Sequence, residues 1–338
     1  MDQKTKSIIL GIESSCDETA AAIVKISGGK FQILSNIVSS QIEIHKKFGG
    51  VVPEIAARNH VKNILPVIEK SLAKAKIKPA QIAKIAVTAG PGLITSLLVG
   101  VQTAKTLGRV WQKPVCPINH LKAHLYANWI SNQSLKFPAL CLLVSGGHTE
   151  IILLKNQTQF KKVGQTLDDA AGEAFDKVAQ LLKLGYPGGP IISRLAAKGN
   201  PKAFAFARPM INSNDFNFSF SGLKTSVLYL VKKLPTPDQK TINDLSASFQ
   251  QSAVDVLAAK TFKAAKFYQA KTLMLSGGVA ANLLLRQTFA KKSLALGIDF
   301  SMPDINLCTD NAVMAAVAGY FTQPIALAKI KVNPNLEI

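Results

Sequence analysis

The feature that most constrains this fold is a plan that the sequence uses twice. Residues 7–26 read as an apolar strand, the polar turn ESSCDET and a second strand, and residues 139–155 repeat this order around the turn SGGHTE. Strand, turn and strand predict a hairpin whose tip can face a ligand. Helical patterns alternate with short buried strands after each hairpin, which is typical of α/β lobes with mixed sheets. We therefore expect two similar α/β lobes.

The sequence Ser-Gly-Gly also occurs twice, at residues 145–147 and 276–278, each time at the end of an apolar run. Paired glycines allow a sharp turn and a close approach of the backbone to a ligand, because no Cβ stands in the way. The N–H groups of such a turn suit a phosphate or the edge of a purine. Two of these turns predict two lobes that close on one nucleotide-like ligand.

Length and composition indicate an ordinary globular chain of about two domains. Of the 338 residues, 48% are hydrophobic and 18% are charged, which excludes a disordered chain, and no apolar run is long enough for a membrane span. The first residues, MDQKTK, lead directly into a strand pattern and leave no room for a signal peptide. The four cysteines form no CxxC pair, so we expect a cytoplasmic protein with no membrane partner.

The net charge of +20 attracts nucleic acid through phosphate neutralisation and counterion release. Lysine supplies most of this charge, whereas arginine, the usual residue for bidentate phosphate contacts, occurs only five times. A lysine-rich composition without any role in binding gives the same excess. The charge alone therefore leaves both interpretations open.

We expect the chain to consist of three segments. Residues 1–130 form an N-terminal lobe that carries a mainly helical insertion at 39–77, and residues 131–300 form a C-terminal lobe. Residues 301–338 form a helical segment that packs back on the N-terminal lobe. Within the C-terminal lobe, residues 167–182 have helical period, with acidic residues on the face opposite the apolar one.

His120 and His124 are spaced i, i+4, so on a helix both imidazoles point from one face and can share a metal ion. The spacing equally fits two polar residues on a helix surface. It is not the zincin signature, because Leu121 stands where that motif has glutamate. Asp310 is a candidate third ligand, although Thr309 or Asp310 before AVMAAVAGY also makes an ideal helix N-cap.

Three further polar positions have a functional and a structural interpretation. Asp17 and Glu18 lie at the tip of the first hairpin, where a carboxylate can act as a base or simply face solvent. Asn282 follows the second Ser-Gly-Gly turn, and its amide can bind a ribose or base, or cap the next helix. The residues alone leave these alternatives open.

Ten motifs, taken in their order along the chain, carry a family resemblance. They are GIESSCDET, HKKFGGVVPEIAARNH, AGPGLITSL, HLKAH, LVSGGHTE, DDAAGEAFDK, YPGGP, FSFSGLKT, LSGGVAAN and CTDNA. Together they resemble the bacterial and organellar branch of the TsaD family, the tRNA N6-adenosine threonylcarbamoyltransferases, formerly described as O-sialoglycoprotein endopeptidases. The resemblance runs from about Ile8 to Tyr320. It implies the α/β actin-like ATPase superfold, with two RNase H-like lobes and a nucleotide cleft between them.

The resemblance also implies a set of site residues. The family's metal ligands fall on His120, His124 and Asp310, and the expected metal is Fe2+, with Zn2+ as the alternative. The family's substrate-binding positions fall on Leu143, Val144, Ser145, Gly146, Gly147, Asp176, Gly189 and Asn282. Some relatives have an acidic ligand at the position of Ser193, and this chain departs from them there.

The activity implied by the resemblance is transfer of a threonylcarbamoyl group from threonylcarbamoyl-AMP to N6 of adenosine 37 in tRNAs that read ANN codons. The two Ser-Gly-Gly turns are then expected to hold phosphate and adenosine, and the metal to act as a Lewis acid. The target base lies in a single-stranded loop, so unstacking it costs only a few kcal/mol. Asp17 is the candidate for handling the proton of the amine. TsaB and TsaE are the implied complex partners, and a TsaC-type enzyme supplies the adenylate.

Two other classes of function fit parts of the sequence. A metallopeptidase fits the HxxxH spacing, but the glutamate base is missing and peptide hydrolysis needs no nucleotide cleft. An actin-like ATPase or kinase is the other class. A peptidase would show chelator-sensitive proteolysis without adenylate binding, whereas a kinase would phosphorylate a small molecule in the absence of tRNA.

Overall fold

The computed structural model describes residues 7–338, and the first six residues, on which the expectation of no signal peptide rests, lie outside that part. The chain divides into two compact units. The N-terminal unit combines the residues up to Ser134 with Thr309–Ile338, and the C-terminal unit comprises Leu135–Cys308. The divisions expected at 130/131 and 300/301 lie a few residues before these.

Among the described residues, the N-terminal unit is built on a five-stranded mixed sheet. Its strands are β1 (Ser7–Glu13), β2 (Glu18–Ser27), β3 (Lys30–Ser40), β4 (Lys84–Gly90) and β5 (Val115–Asn119), in the order β3-β2-β1-β4-β5. The first three strands are antiparallel, whereas β4 and β5 continue the sheet in parallel. β1 and β2 are nearly continuous buried apolar runs, as expected of strands covered on both faces.

Helices cover this sheet. In the first part of the unit they are α1 (Ile42–His45), α2 (Pro53–Ala75), α3 (Ile94–Val110), α4 (His120–Tyr126) and α5 (Asn128–Ser131). α2 begins at Pro53, whose fixed φ and missing N–H suit the first helical position, and it packs on β2 and β3. The segment 39–77, expected to be mainly helical, thus contains α1 and α2.

The C-terminal unit repeats the sheet topology. Its strands are β6 (Ala139–Val144), β7 (Thr149–Leu154), β8 (Phe160–Gln165), β9 (Thr272–Ser276) and β10 (Asp299–Ser301), in the order β8-β7-β6-β9-β10. Again the first three strands are antiparallel, and the last two continue the sheet in parallel. The shared strand order confirms the prediction of two similar α/β lobes.

The helices of the C-terminal unit are α6 (Ala171–Leu181), α7 (Gly188–Ala196), α8 (Ser221–Lys233), α9 (Gln239–Phe267) and α10 (Leu283–Ala295). The helix predicted at 167–182 is shorter than expected, because α6 begins only at Ala171. Asp168 does not join it: its carboxylate accepts the N–H of Phe220, at 2.7 Å, and that of Ser221, at 3.2 Å, at the start of α8. A cap supplied by a distant segment is invisible to a helical pattern.

The chain returns to the N-terminal unit with α11 (Ala312–Phe321), which packs on β1, β2 and β4. Gly11 makes this packing possible, because a Cβ there would collide with the carbonyl oxygen of Ala312 and with Ala316. The start of α11 is therefore held against β1. Among residues 7–338, none of the helices has both the length and the hydropathy that a membrane span requires.

Both Ser-Gly-Gly turns lie in the C-terminal unit, so their occurrence as a pair does not by itself indicate two lobes. The first forms the tip between β6 and β7, and the second follows β9, the parallel neighbour of β6. Parallel strands end at the same edge of a sheet, which makes the two turns adjacent. A Cβ on Gly277 would even collide with the carbonyl of Val144. The sequence does not reveal strand order, so the adjacency of the two turns was not predicted.

Candidate functional site

The two histidines of the HLKAH motif lie on α4, directly after β5. Asn119 caps this helix, because its Oδ1 accepts a hydrogen bond of 3.0 Å from the N–H of Lys122. His120 and His124 therefore lie one turn apart on one helix face, with ring centroids separated by 4.7 Å. The predicted helical placement of both imidazoles is confirmed. His124 is buried, and His120 is nearly so.

Asp310 precedes α11 and faces the two imidazoles. The prediction that Thr309 or Asp310 caps this helix is wrong, because the cap is Asn311, whose Oδ1 accepts a 3.1 Å hydrogen bond from the backbone N–H three residues on. The Oδ1 atom of Asp310 instead lies 3.2 Å from Nε2 of His124 and 3.5 Å from Nε2 of His120.

These three side chains fit a metal ion. One ligand atom from each lies within 4.8 Å of the other two. The second nitrogen of His124, Nδ1, is buried and has no hydrogen-bond partner among the described residues, so the hydrogen-bonding contacts of the ring are those within the cluster. Two imidazoles and one carboxylate with open positions are a donor set suited to Fe2+ or Zn2+.

Negative charge dominates the electrostatics of this cluster. Burial disfavours the imidazolium form of His120, but the charges of Asp310 and Glu13 outweigh it and raise the pKa of His120 to about 9. Burial likewise opposes ionisation of Glu13, and the charge and hydrogen bond of His120 hold the pKa of Glu13 below its usual value. The cluster therefore attracts a positive charge, which a proton or a metal ion can supply.

The turn between β1 and β2 carries Asp17 and Glu18. Burial and the negative charge of Asp310 raise the pKa of Asp17, and burial raises the pKa of Glu18 to about 7. Oε1 of Glu18 accepts a 2.7 Å hydrogen bond from the hydroxyl of Ser40, whereas its Oε2 is buried without a hydrogen-bond partner in the part of the chain described. Both side chains are half-buried in this turn.

His60 and Thr19, which sequence reasoning missed, hold this turn in place. Nε2 of His60 lies 2.9 Å from the carbonyl of Cys16, and its Nδ1 lies 2.8 Å from the hydroxyl of Thr19. A carbonyl only accepts, so Nε2 carries the proton. Burial lowers the pKa of His60, which keeps the ring neutral and lets Nδ1 accept from Thr19. The available signal was the histidine that closes the HKKFGGVVPEIAARNH motif.

Glu13 is another residue that sequence reasoning missed. It is the last residue of β1 and is wholly buried, in contact with the backbone N–H of Ser15 and the side chains of Thr88 and His120. A glutamate that ends an otherwise apolar strand was the signal in the sequence.

Ser145 closes the first Ser-Gly-Gly turn. Its N–H donates to the carbonyl of His148 at 2.8 Å, and its hydroxyl accepts the N–H of His148 at 3.1 Å. Gly146 and Gly147 at the tip are exposed, and a Cβ on either would meet no atom of residues 7–338 within 4 Å. The turn therefore presents bare backbone beside open space.

Leu143 and Val144 lead into this turn as the last residues of β6. Both side chains are wholly buried, so only their backbone can face a ligand. Asp176 supports the neighbouring PGGP turn, because its Oδ1 accepts a 2.7 Å hydrogen bond from the N–H of Gly188. Burial raises the pKa of Asp176. Gly189 again has open space where a Cβ would lie.

Asn282 caps α10, as one of its two interpretations requires: its Oδ1 accepts a 3.0 Å hydrogen bond from the N–H of Leu285. Its Nδ2 donates to Oε1 of Gln250 at 2.7 Å and approaches Oγ of Ser193 at 3.4 Å. Ser193, at the position where some relatives are acidic, thus contacts this amide. Gln250 is buried within α9, and sequence reasoning missed it because one amide does not disturb a helical pattern.

The predicted site residues fall into two sets. Asp17, His120, His124 and Asp310 belong to the N-terminal unit. The predicted substrate positions, 143–147 with Asp176, Gly189 and Asn282, belong to the C-terminal unit.

Comparison with solved structures identifies the fold. The HypF protein of T. kodakarensis superposes on 95% of this chain and 48% of its own length, with a TM-score of 0.65 and 13% sequence identity. Component A of (R)-2-hydroxyglutaryl-CoA dehydratase from Acidaminococcus fermentans covers 93% of this chain and 97% of its own, with a TM-score of 0.53 and 16% identity. Both have the actin-like ATPase fold, which confirms the predicted fold class.

Comparison with known sequences identifies the family. A family profile described as "TsaD: tRNA N6-adenosine threonylcarbamoyltransferase" matches residues 32–317. Relatives named tRNA N6-adenosine threonylcarbamoyltransferase from Thermosipho melanesiensis, Thermosipho africanus and Bacillus subtilis are 54%, 51% and 50% identical. They cover 93%, 98% and 94% of this chain and 94%, 100% and 91% of their own lengths. The resemblance carried by the ten motifs is thus confirmed, and the chain belongs to the TsaD family of tRNA N6-adenosine threonylcarbamoyltransferases.

Proposed function

We propose that this chain transfers the threonylcarbamoyl group of threonylcarbamoyl-AMP to N6 of adenosine 37 in tRNAs that read ANN codons, with the help of a metal ion. The observation that carries the proposal is the convergence of His120, His124 and Asp310 in a member of the TsaD family. The curated relatives carry the same transferase activity in their names. Because the substrate is tRNA, we place the reaction in the cytoplasm.

The proposed metal is Fe2+, with Zn2+ as the alternative that the same ligands accept. When bound, it supplies a Lewis acid for a phosphate or carbamoyl oxygen of the donor. His120 and His124 contribute one imidazole nitrogen each and Asp310 contributes a carboxylate oxygen. A set of three protein ligands leaves coordination positions open for a substrate oxygen.

The donor is bound by residues of the C-terminal unit. The proposed contacts are Leu143, Val144, Ser145, Gly146, Gly147, Asp176, Gly189 and Asn282. The open space over Gly146, Gly147 and Gly189 supports this assignment, since a phosphate or purine can approach bare backbone there. Asp176 acts through the turn whose N–H it accepts, and Asn282 fixes the start of α10.

Asp17 is the proposed base. The amine N6 attacks the carbonyl carbon of the donor, the bond between that carbon and the phosphate oxygen breaks, and AMP leaves with the electron pair. Asp17 takes the proton that N6 loses. Its raised pKa suits a proton acceptor, and one such group is typically worth ~10²–10⁴ in rate.

The substrate tRNA and three proteins are the proposed partners. The net charge of +20 supports binding of the tRNA phosphates. TsaB and TsaE complete the complex, and a TsaC-type enzyme supplies the adenylate, as membership of the TsaD family suggests. Full multiple-turnover activity of this chain alone, with purified adenylate and tRNA, would contradict a need for TsaB and TsaE.

Removal of a metal ligand tests the proposed function. His120→Ala and Asp310→Ala should each lose bound metal and threonylcarbamoyl transfer together, while circular dichroism shows a folded chain. Asp304→Ala is the matched control, because Asp304 is an exposed aspartate six positions before Asp310 and should change neither property. Full metal occupancy in either ligand variant would remove that residue from the site. Chelator-sensitive proteolysis without transfer would indicate a peptidase instead.

A further inference from the structure

Glu13 is a charged residue in the interior of the N-terminal unit, with 0% exposure. Its Oε1 accepts a 2.6 Å hydrogen bond from the N–H of Ser15. Its Oε2 accepts a 2.6 Å hydrogen bond from the hydroxyl of Thr88 and lies 3.1 Å from Nδ1 of His120. A buried carboxylate is costly unless its oxygens are hydrogen-bonded, and here both oxygens are. Complete burial also means that Glu13 cannot touch a substrate.

The contact between Glu13 and His120 decides which imidazole nitrogen is the metal ligand. A carboxylate oxygen only accepts hydrogen bonds, so Nδ1 of His120 must carry a proton. Nε2 is then the nitrogen left for the metal, and it is the atom that faces Asp310 at 3.5 Å. The hydroxyl of Ser15 lies 3.2 Å from the same Nδ1 and limits rotation of the ring further.

The second histidine has no such support. Nδ1 of His124 is buried and lacks a hydrogen-bond partner among the described residues, and only its Nε2 is placed, 3.2 Å from Asp310. Glu13 therefore serves one ligand of the pair specifically. If Glu13 only linked β1 to its neighbours, its carboxylate would not need to contact the imidazole of His120.

We propose that Glu13 is a positioning residue of the metal centre, which holds His120 with Nδ1 protonated and Nε2 directed at the metal. This inference rests on the proposed metal site and adds the residue that orients one of its ligands. Ligating histidines commonly donate their second N–H to a carboxylate, and loss of that partner typically lowers metal affinity about 10–100-fold.

Glu13→Gln is the most informative variant, because it keeps the shape of the side chain. The amide oxygen must face the N–H of Ser15, since the NH₂ group there would oppose another donor. The NH₂ group then faces His120 and donates to Nδ1, which moves the imidazole proton to Nε2. The proton then blocks Nε2, the nitrogen that should bind the metal, while the packing of β1 is preserved. Thr88→Val is the matched control, because it removes a hydrogen bond to the same carboxylate oxygen without touching His120.

The experiment is a titration of metal-free, full-length protein with Zn2+ against a competing chelator dye. Glu13→Gln should bind Zn2+ about 10–100-fold more weakly than the wild type. Thr88→Val should stay within about threefold of the wild type, although both variants lower the melting temperature. Equal Zn2+ affinity in folded Glu13→Gln and wild-type protein would overturn the inference.

A second measurement needs no variant. Nitrogen-15 NMR of the Zn2+-loaded wild type should show zinc on Nε2 of His120 and a slowly exchanging proton on Nδ1. Zinc on Nδ1 would overturn the inference even if Glu13→Gln fails to fold. Failure of the proposed function looks different: the wild type would then bind no stoichiometric Zn2+, or His124→Ala would retain it.

Discussion

The hairpin turns of the two units share one topology and are built in opposite ways. The turn between β1 and β2 is packed with polar side chains, and Glu13, Ser14, Ser15 and Thr19 are all buried there. The turn between β6 and β7 has two exposed glycines at its tip and open space beyond them. The first turn is therefore built from buried polar side chains, and the second exposes backbone.

This difference separates two kinds of chemistry on one scaffold. Buried carboxylates concentrate negative charge, which holds a cation or accepts a proton. Bare backbone offers N–H groups to an anion or a purine edge at close range. Under the proposed function, the first hairpin contributes to the metal centre through Glu13, and the second contributes backbone to nucleotide binding.

The largest expected effect is on the rate of transfer and concerns Asp17, in the turn between β1 and β2. Asp17→Asn removes the proposed proton acceptor but keeps its volume, so the rate of threonylcarbamoyl transfer should fall by about 10²–10⁴-fold. Bound metal should stay at the wild-type level, because Asp17 is not a ligand. Single-turnover transfer with preformed adenylate measures the rate. An unchanged rate would assign the proton to another group.

The two Ser-Gly-Gly turns should respond to substitution according to the space around each glycine. Gly277 has φ of 86° and its Cβ would strike the carbonyl of Val144, so Gly277→Val should destabilise the fold by about 2 kcal/mol or more. Gly146 lies outside the left-handed region and has open space, so Gly146→Val should fold normally. It should nevertheless bind a non-hydrolysable adenylate analogue at least about tenfold more weakly, since the new side chain fills the ligand's space.

Calorimetric binding and urea unfolding distinguish these two outcomes. Wild-type affinity in folded Gly146→Val would place the adenylate elsewhere. Wild-type stability of Gly277→Val would show that the turn after β9 can relax. The turns at Gly146 and Gly277 would then tolerate a side chain equally well.

Local patterns predicted much of this molecule. Strand periodicity located both hairpins, and the i, i+4 spacing placed His120 and His124 on one helix face. What failed depends on distant segments. The carboxylate of Asp168 accepts N–H groups at the start of α8 and does not join α6, and the pairing of β6 with β9 makes the two Ser-Gly-Gly turns adjacent.

The site shows the same limit. Asp310 was a candidate third ligand whose alternative was a helix cap, and the sequence left both open; the structure shows that Asn311 is the cap. Glu13 and His60 were missed, since their roles depend on partners dozens of residues away. A sequence shows which residue types are present, whereas the pairing of buried polar groups is decided by tertiary structure.

Binding of tRNA should depend moderately on the charge of both units. Log affinity should fall with log salt by about 0.9 per phosphate contact, or ~0.7 where the strand is single. Lys70 on α2 and Lys266 on α9 are exposed, whereas Lys260 is buried against Ser213 and Asp215 and cannot contribute. Replacement of Lys70 or of Lys266 by alanine should reduce the slope of log affinity against log salt by about one if that residue contacts a phosphate. A flat salt response in the wild type would show that the charge is compositional.

The smallest expected effect concerns Glu18, at the end of the turn between β1 and β2. Burial raises the pKa of Glu18 to about 7 in the folded protein, and unfolding restores its ordinary value near 4.5. The folded state therefore binds more protons than the unfolded state between these two values, and stability falls as pH rises through this window.

Glu18→Gln resembles the protonated acid, keeps an acceptor for the hydroxyl of Ser40 and carries no charge at any pH. Its free energy of unfolding, measured in urea from pH 4 to 8, should decline less with pH than that of the wild type. The difference between the two proteins should vanish below about pH 4.5 and be largest above pH 7, in favour of the variant. If the two pH profiles run parallel, Glu18 is as solvated as an ordinary turn residue, and the two hairpin turns differ less than the buried oxygen of Glu18 indicates.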